Sequence, residues 1–289
     1  MRVVSFVPSA TETLLRLGAR HLLVGVSDDC RRLGGLDDVP VVSTAAGHHL
    51  LDSAGIDAWV HGRQEEGESL YLLESETLAA LRPDVVLTDD SCPVCAVPSS
   101  QVRAGLAAHA PLIVSLEVHD LASVLASFEQ VGNVVGLPEA GRRLREATER
   151  RLHAIAAAPD GRRPEVLVLD WTDPLMAAGN WVPELVELAG GRPIIARSGE
   201  RSRRLEDDDL PCRADAVVVA PCGLDVEASR AAAATLRRSG AVIAARWCAL
   251  DGTAYFSRPG PGIVEGTTAL SSWLAGRPLP GSVGCEVDP

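Results

Sequence analysis

Leu121-Ala122-Ser123-Val124-Leu125-Ala126-Ser127-Phe128-Glu129-Gln130-Val131-Gly132-Asn133-Val134-Val135 is the stretch whose reading decides the fold. Leu121, Val124, Leu125, Phe128, Val131, Val134 and Val135 recur at spacings of three and four, the pattern of an amphipathic helix. Gly136-Leu137-Pro138 breaks it, and a second helix rich in Arg and Glu runs from about Glu139 to Ala157. On both sides the pattern changes to short β-branched runs alternating with helical segments. Before it, strands are expected at Arg2–Val7, Leu22–Val26, Val39–Ser43, Asp84–Thr88 and Leu112–Leu116. Helices are expected from Ser9, over Leu73–Leu81 and over about Ser100–Ala110. Ser9 has the position of an N-cap, with Glu12 completing a capping box. After it, strands are expected at Val166–Asp170, Ala216–Ala220 and Val242–Ala245, and helices at Trp181–Ala189, Val226–Ser239 and Gly262–Ala275. Such alternation implies βαβ units and parallel sheets. The expected fold is therefore α/β: two three-layer α/β lobes joined by a long backbone helix, with a ligand crevice between the lobes. The boundaries read 1–120 for the first lobe, 121–159 for the bridging helices and 160–289 for the second.

The 289 residues are 46% hydrophobic and 23% charged, enough for a sizeable core. A net charge of −12 argues against general nucleic-acid binding, which needs a basic face. No run of about 18 apolar residues exists, so no membrane segment is expected. The opening Met1-Arg2-Val3-Val4-Ser5-Phe6-Val7-Pro8 has one basic residue and a short apolar run, unlike a secretory leader. That reading gives a cytoplasmic protein with reduced thiols. The charge runs Glu65-Glu66 and Arg201 to Asp209 read as solvated loops.

Four of the seven cysteines follow expected strands: Cys30, Cys92 and Cys95 in Ser-Cys-Pro-Val-Cys-Ala, and Cys222 in Pro-Cys-Gly. Loops outside the carboxyl ends of parallel strands converge on the ligand crevice. Four thiolates meeting there suit an iron–sulfur cluster or zinc. The alternative is scattered buried cysteines acting as small hydrophobes. Cys212 precedes a strand, Cys248 follows one at a distance and Cys285 lies in the tail. Glu12, Asp28 and Asp29 would be the nearby groups for proton transfer. Cys92 and Cys95 alone could form a redox pair. Ser9 opens a helix at a strand end, where free backbone N–H groups attract a polar ligand group. Only 3% of residues are aromatic, and Tyr71, Trp171, Trp181 and Tyr255 stand near strand ends, suited to stacking on a flat ligand. Asp170 and Asp173 flank Trp171 as a candidate acid and base.

Phe6-Val7-Pro8-Ser9-Ala10-Thr11-Glu12 resembles the start of the periplasmic-binding-protein-like ABC substrate-binding fold of cobalamin, siderophore and haem carriers. Cys92 to Val97, Trp181 to Val186, Pro221-Cys222-Gly223 and Ala254 to Gly260 resemble, in order, a signal-less branch of it labelled cobalamin-binding protein. Where that branch tends to have His-Glu-Cys-Asp after the second strand, this chain has Asp28-Asp29-Cys30-Arg31. The resemblance implies two α/β lobes on one backbone helix with the ligand between them. Two functions follow. The first is a cytoplasmic protein with a metal or iron–sulfur cluster on Cys30, Cys92, Cys95 and Cys222, open as to catalysis, acting on a small molecule. The second is a non-catalytic binder of cobalamin, haem or a related tetrapyrrole. Thiolates at strand ends favour the first.

Overall fold

A computed structural model describes the chain except residues 48–50, 93, 95, 107–109, 156–160, 162 and 288–289. Its described strands form two separate sheets, one in each half of the sequence. Contacts divide the chain into two compact units, Met1–Val118 with Leu125–Glu146, and His119–Val124 with Ala147–Pro289.

The N-terminal unit is built from β1 (Val3–Ser5), α1 (Pro8–Arg16), β2 (Leu23–Ser27), α2 (Asp28–Arg31), β3 (Val41–Ala45), α3 (Ser53–Glu65), β4 (Tyr71–Leu73), α4 (Ser75–Leu81), β5 (Val85–Thr88), α5 (Ser99–Gly105) and β6 (Leu112–Ser115). The strand order is β4-β3-β2-β1-β5-β6, parallel except for β4. The apolar side chains alternate across this sheet. Val3, Val85 and Leu87 pack with α1 residues Ala10 and Leu14 on one face, and Val4, Phe6 and Val86 pack with Leu78 and Val102 on the other. Both faces are covered, so the central strands read as continuous apolar runs. That is the three-layer arrangement the sequence implies.

The helices read from the deciding stretch form as expected: α6 (Leu121–Val134) and α7 (Pro138–His153), with Gly136 at φ 76° between them. Val131 and Val135 join the core of the N-terminal unit. Gly132 and Gly141 set how closely the two helices approach. A Cβ on Gly132 would lie 2.8 Å from the Gly141 Cα, and one on Gly141 would lie 2.8 Å from the Phe128 carbonyl.

The C-terminal unit continues with β7 (Glu165–Thr172), β8 (Leu175–Ala177), α8 (Val182–Leu188), β9 (Arg192–Pro193), β10 (Arg203–Arg204), β11 (Cys212–Val219), α9 (Val226–Ser239), β12 (Val242–Leu250), α10 (Ile263–Leu274) and β13 (Gly284–Glu286). The order is β10-β8-β7-β11-β12-β13, with β9 also beside β7. β7, β11 and β12 are parallel, while β8, β10 and β13 run antiparallel to their neighbours. Leu167, Leu169, Val217 and Val219 meet Ala233 and Leu236 of α9. That helix starts at Asp225, whose carboxylate accepts the Ala228 N–H at 2.9 Å, and stops at left-handed Gly240.

Several expectations are corrected. Helix α1 begins at Pro8 with Val7 as its N-cap and no side-chain cap, so Ser9 and Glu12 form no capping box. Proline pre-sets the first-turn dihedral and needs no donor there. Cys212 begins β11 rather than preceding it, Cys248 lies inside β12, and Cys285 lies in β13 rather than in a tail. The run Arg201–Asp209 contains β10 and an Arg203–Asp209 ion pair at 2.9 Å, so it is partly ordered by the sheet edge.

Candidate functional site

In each sheet the strand order reverses beside the strand that comes first in sequence, β1 in the N-terminal unit and β7 in the C-terminal one. Loops at the carboxyl ends of strands flanking such a reversal are where open α/β sheets bind ligands.

In the N-terminal unit the rim is formed by Val7-Pro8-Ser9 after β1, Asp28-Asp29 after β2 and the segment after β5. Ser9 is buried in the first turn of α1. Tyr71, on β4, is 8% exposed and donates its hydroxyl to the Val94 carbonyl at 2.7 Å. Its polar end therefore braces the loop that carries Cys92. Thr88 donates to Val97 across the same loop. Cys30 is wholly buried in α2. Its thiol lies 3.6 Å from the Ser5 carbonyl and 3.0 Å from the Ser27 hydroxyl, and burial pushes its pKa up. It packs among Val26, Leu36 and Val39 as a small hydrophobe. Cys92 is half-buried, and Cys95 lies outside the described residues. Glu12 is buried with Arg16 3.9 Å away, and Asp29 pairs with Arg32 at 3.7 Å.

In the C-terminal unit three loops are tied to one another through backbone groups. The Cys222 N–H donates to the Asp170 carbonyl at 3.1 Å, joining the end of β7 to the loop after β11. Ser257 and Thr253, after β12, donate to the carbonyls of Ala220 and Leu224. Gly252 makes this approach possible: a Cβ there would lie 2.3 Å from the Pro221 carbonyl oxygen. The Gly252–Phe256 stretch is a single π-turn capped by Asp251, which accepts the Ala254 N–H at 2.7 Å. Trp181 is buried and donates its indole N–H to the Phe256 carbonyl at 2.8 Å, pinning that turn from below. Trp171 and Tyr255 are half-buried, and Cys222 is exposed. The Trp171 indole N–H is held by the Asp173 carbonyl at 2.9 Å. The rim is thus a braced frame carrying two aromatic side chains.

Burial raises the pKa of two acids at this rim, Asp251 and Asp170. The Asp170 Oδ2 accepts from Ser202, its Oδ1 is buried without a hydrogen bond, and burial pushes its pKa up to about 6 against the Ser202 bond. Asp173 is exposed, so the two carboxylates do not share an environment. Ser202 had no signal in the sequence. It sits 32 residues from Asp170 in a run of charges, and only the fold pairs them.

Among the described residues no three His, Cys, Asp or Glu side chains gather in a metal-ligating set.

The model of the periplasmic binding protein family matches residues 3–216. Among curated proteins no sequence matches the chain. Among solved structures it is similar to a periplasmic haem-binding protein from Pseudomonas aeruginosa. That match has 23% identity and a TM-score of 0.73, covering 100% of this chain and 98% of that one. It is also similar to the periplasmic haem-binding protein HutB of Vibrio cholerae, at 18% identity and TM-score 0.64, covering 95% and 98%. The periplasmic vitamin B12-binding protein BtuF of Vibrio cholerae matches at 16% identity and TM-score 0.60, covering 94% and 96%. These TM-scores show the fold.

Two expectations are overturned by these matches. A cytoplasmic protein built around a cluster or zinc on Cys30, Cys92, Cys95 and Cys222, with Glu12, Asp28 and Asp29 for proton transfer, does not fit a binding-protein family. At Cys30 the thiol is wholly enclosed among Val26, Leu36 and Val39, and burial raises its pKa. The cytoplasmic location is overturned by the same family, which is periplasmic.

Proposed function

The chain belongs to the periplasmic binding protein family, and from that premise we propose that it is a non-catalytic carrier of a flat macrocycle of the haem or cobalamin kind, working outside the cytoplasmic membrane. The observation that carries this reading is the braced rim of the C-terminal unit. Trp171 and Tyr255 stand half-buried on loops whose backbones are already bonded to one another. Aromatic faces held before the ligand arrives lose little entropy on binding, which favours a large planar partner. The similarity to haem-binding and vitamin B12-binding structures supports the same ligand class. Ser9, Tyr71 and Trp181 enter the proposal in a bracing role, since all three are buried and the two aromatic ones spend their donors on loop carbonyls. No helix among the described residues is long and apolar enough to cross a membrane.

The test is titration of the purified protein with haemin and with cyanocobalamin, followed by visible absorption and by Trp fluorescence. Saturable binding at micromolar concentration, with a shifted Soret or corrin band and quenched fluorescence, is the expected result. Failure of both ligands to change either signal would sink the proposal.

A further inference from the structure

We propose that Gly266, on α10 and outside the rim, is a positioning residue for the ligand, because its missing side chain sets the depth at which Tyr255 meets the macrocycle. The identity of the ligand rests on the carrier reading above; the position of the Tyr255 ring does not.

Gly266 is a buried residue in the first half of α10. Helix interiors disfavour glycine, which loses more backbone freedom than any other residue and has no side chain to pack. One neighbour explains its place here. A Cβ at position 266 would lie 2.7 Å from the Tyr255 Cβ, 3.1 Å from the Tyr255 carbonyl oxygen and 3.2 Å from the Phe256 ring. Carbon atoms in contact stand about 3.5–4.0 Å apart, so an added methyl must displace Tyr255 by roughly an ångström. A tyrosine Cβ moves only with its backbone, so the turn has to move with it.

What holds the turn decides the direction of that displacement. Its first residue, Gly252, lies against the loop after β11, where a Cβ would come within 2.3 Å of the Pro221 carbonyl oxygen. Its last residue, Phe256, is buried, and its carbonyl accepts the Trp181 indole N–H at 2.8 Å. The helix is anchored as well, since Ile263, Val264, Thr267 and Leu270 on either side of Gly266 are all buried. Tyr255, between these fixed points, is only half-buried, so outward is the direction with room. Glycine at 266 therefore lets the ring sit a methyl's depth lower on the rim. A planar ligand stacks well only on an aromatic face held at the matching height. Gly266 acts through Tyr255 and removes no contact group when it is replaced.

The test uses the two tyrosines of the chain, Tyr71 and Tyr255, labelled as 3-fluorotyrosine and read by fluorine NMR. Tyr255→Phe assigns the two resonances. Gly266→Ala should shift the Tyr255 resonance and leave that of Tyr71, in the N-terminal unit, in place. With whichever of haemin and cyanocobalamin binds the wild type, Gly266→Ala should raise Kd at least about fivefold. Made in the Tyr255→Ala background, the same substitution should change Kd by less than about twofold, because the ring it displaces is gone. A merely structural glycine would weaken both backgrounds alike. Should Gly266→Ala melt far below the wild type, combining it with Tyr255→Gly removes the colliding Cβ, and the double variant should melt well above Gly266→Ala alone. An unmoved Tyr255 resonance in folded Gly266→Ala, equal losses of affinity in both backgrounds, or no recovery in the double variant would overturn the proposal. If neither macrocycle binds the wild type, the carrier reading fails, and the fluorine spectrum still decides whether Gly266 sets the ring.

Discussion

At the residue scale, Asp170 places a carboxyl where its charged form is poorly solvated. Its pKa rises from 3.8 to about 6 because burial outweighs the single bond from Ser202. A raised acid pKa means the folded state holds the proton more tightly than the unfolded chain. The stabilisation from this group is therefore full below about pH 4, declines as pH rises through the interval to about 6, and is absent above it. The corresponding cost at neutral pH is roughly 3 kcal/mol. Asp170→Asn keeps an acceptor for Ser202 and removes the charge. We expect it to unfold at higher denaturant than the wild type at pH 7.5, by up to about 3 kcal/mol, with the difference vanishing near pH 4. A variant that is less stable at pH 7.5 would show that the ionised form is required. The thiols give a second residue-scale prediction. Cys222 is exposed, whereas Cys30 and Cys248 are enclosed and burial raises both their pKa values. Iodoacetamide followed by peptide mass spectrometry should label Cys222 rapidly in the folded protein and reach Cys30 and Cys248 only after unfolding. Labelling of Cys30 as fast as Cys222 would contradict its enclosure.

At the element scale, two glycines and one cap control how the helices sit. Any Cβ on Gly132 would meet backbone of α7 at 2.8 Å, and backbone cannot swing aside as a long side chain can. Gly132→Ala should therefore cost about 2 kcal/mol or more, although alanine favours helix by about 1 kcal/mol, as read by urea unfolding. Asp225→Ala removes the acceptor for Ala228 and should cost about 1 kcal/mol. The elements also show what was legible in the sequence. Strands such as β5 and β11 announced themselves because both faces are covered, and helix α9 because cap and stop residues agree with its apolar spacing. β4, β8, β9, β10 and β13 span only two or three residues each, too short for any periodicity to register. The sequence pattern ends β12 at Ala245 because Arg246 interrupts the apolar run. In the fold that arginine spends its donors on the Trp273 and Leu274 carbonyls at the end of α10, and the strand continues to Leu250. Helix α3 has no signature in the sequence because none of its residues is fully buried, which leaves no apolar stripe to read. The sequence marks Trp171, Trp181 and Tyr255 as a set near strand ends. Which of them stay open and which brace the loops depends on contacts such as Trp181 to Phe256, 75 residues apart, which no local pattern encodes.

At the scale of the whole molecule, membership of the periplasmic binding protein family accords with the proposed carrier role. The cysteines at strand ends point to a metal only where position after a strand means exposure to a site. Strand ends also border the core, and Cys30 turns inward there. What remains at the C-terminal rim is an aromatic pair on a fixed frame, and its two parts predict different failures. Trp171 and Tyr255 would touch the ligand, so Trp171→Ala and Tyr255→Ala should each weaken haemin or cobalamin binding by about 1–3 kcal/mol, a roughly five- to 150-fold rise in Kd. The melting temperature should change little, since both side chains are only half-buried. Trp181→Phe keeps the apolar bulk but removes the donor to the Phe256 carbonyl. It should lower stability by about 1–2 kcal/mol and weaken ligand binding indirectly, through a loosened Gly252–Phe256 turn. Saturating ligand should then restore part of the lost stability, because binding to the folded state alone shifts unfolding by mass action. Spectral titration and ligand-dependent melts on the three variants separate the roles. If Trp171→Ala and Tyr255→Ala bind as the wild type does while Trp181→Phe does not, the aromatic pair is not the contact surface, and the ligand is held elsewhere on the unit.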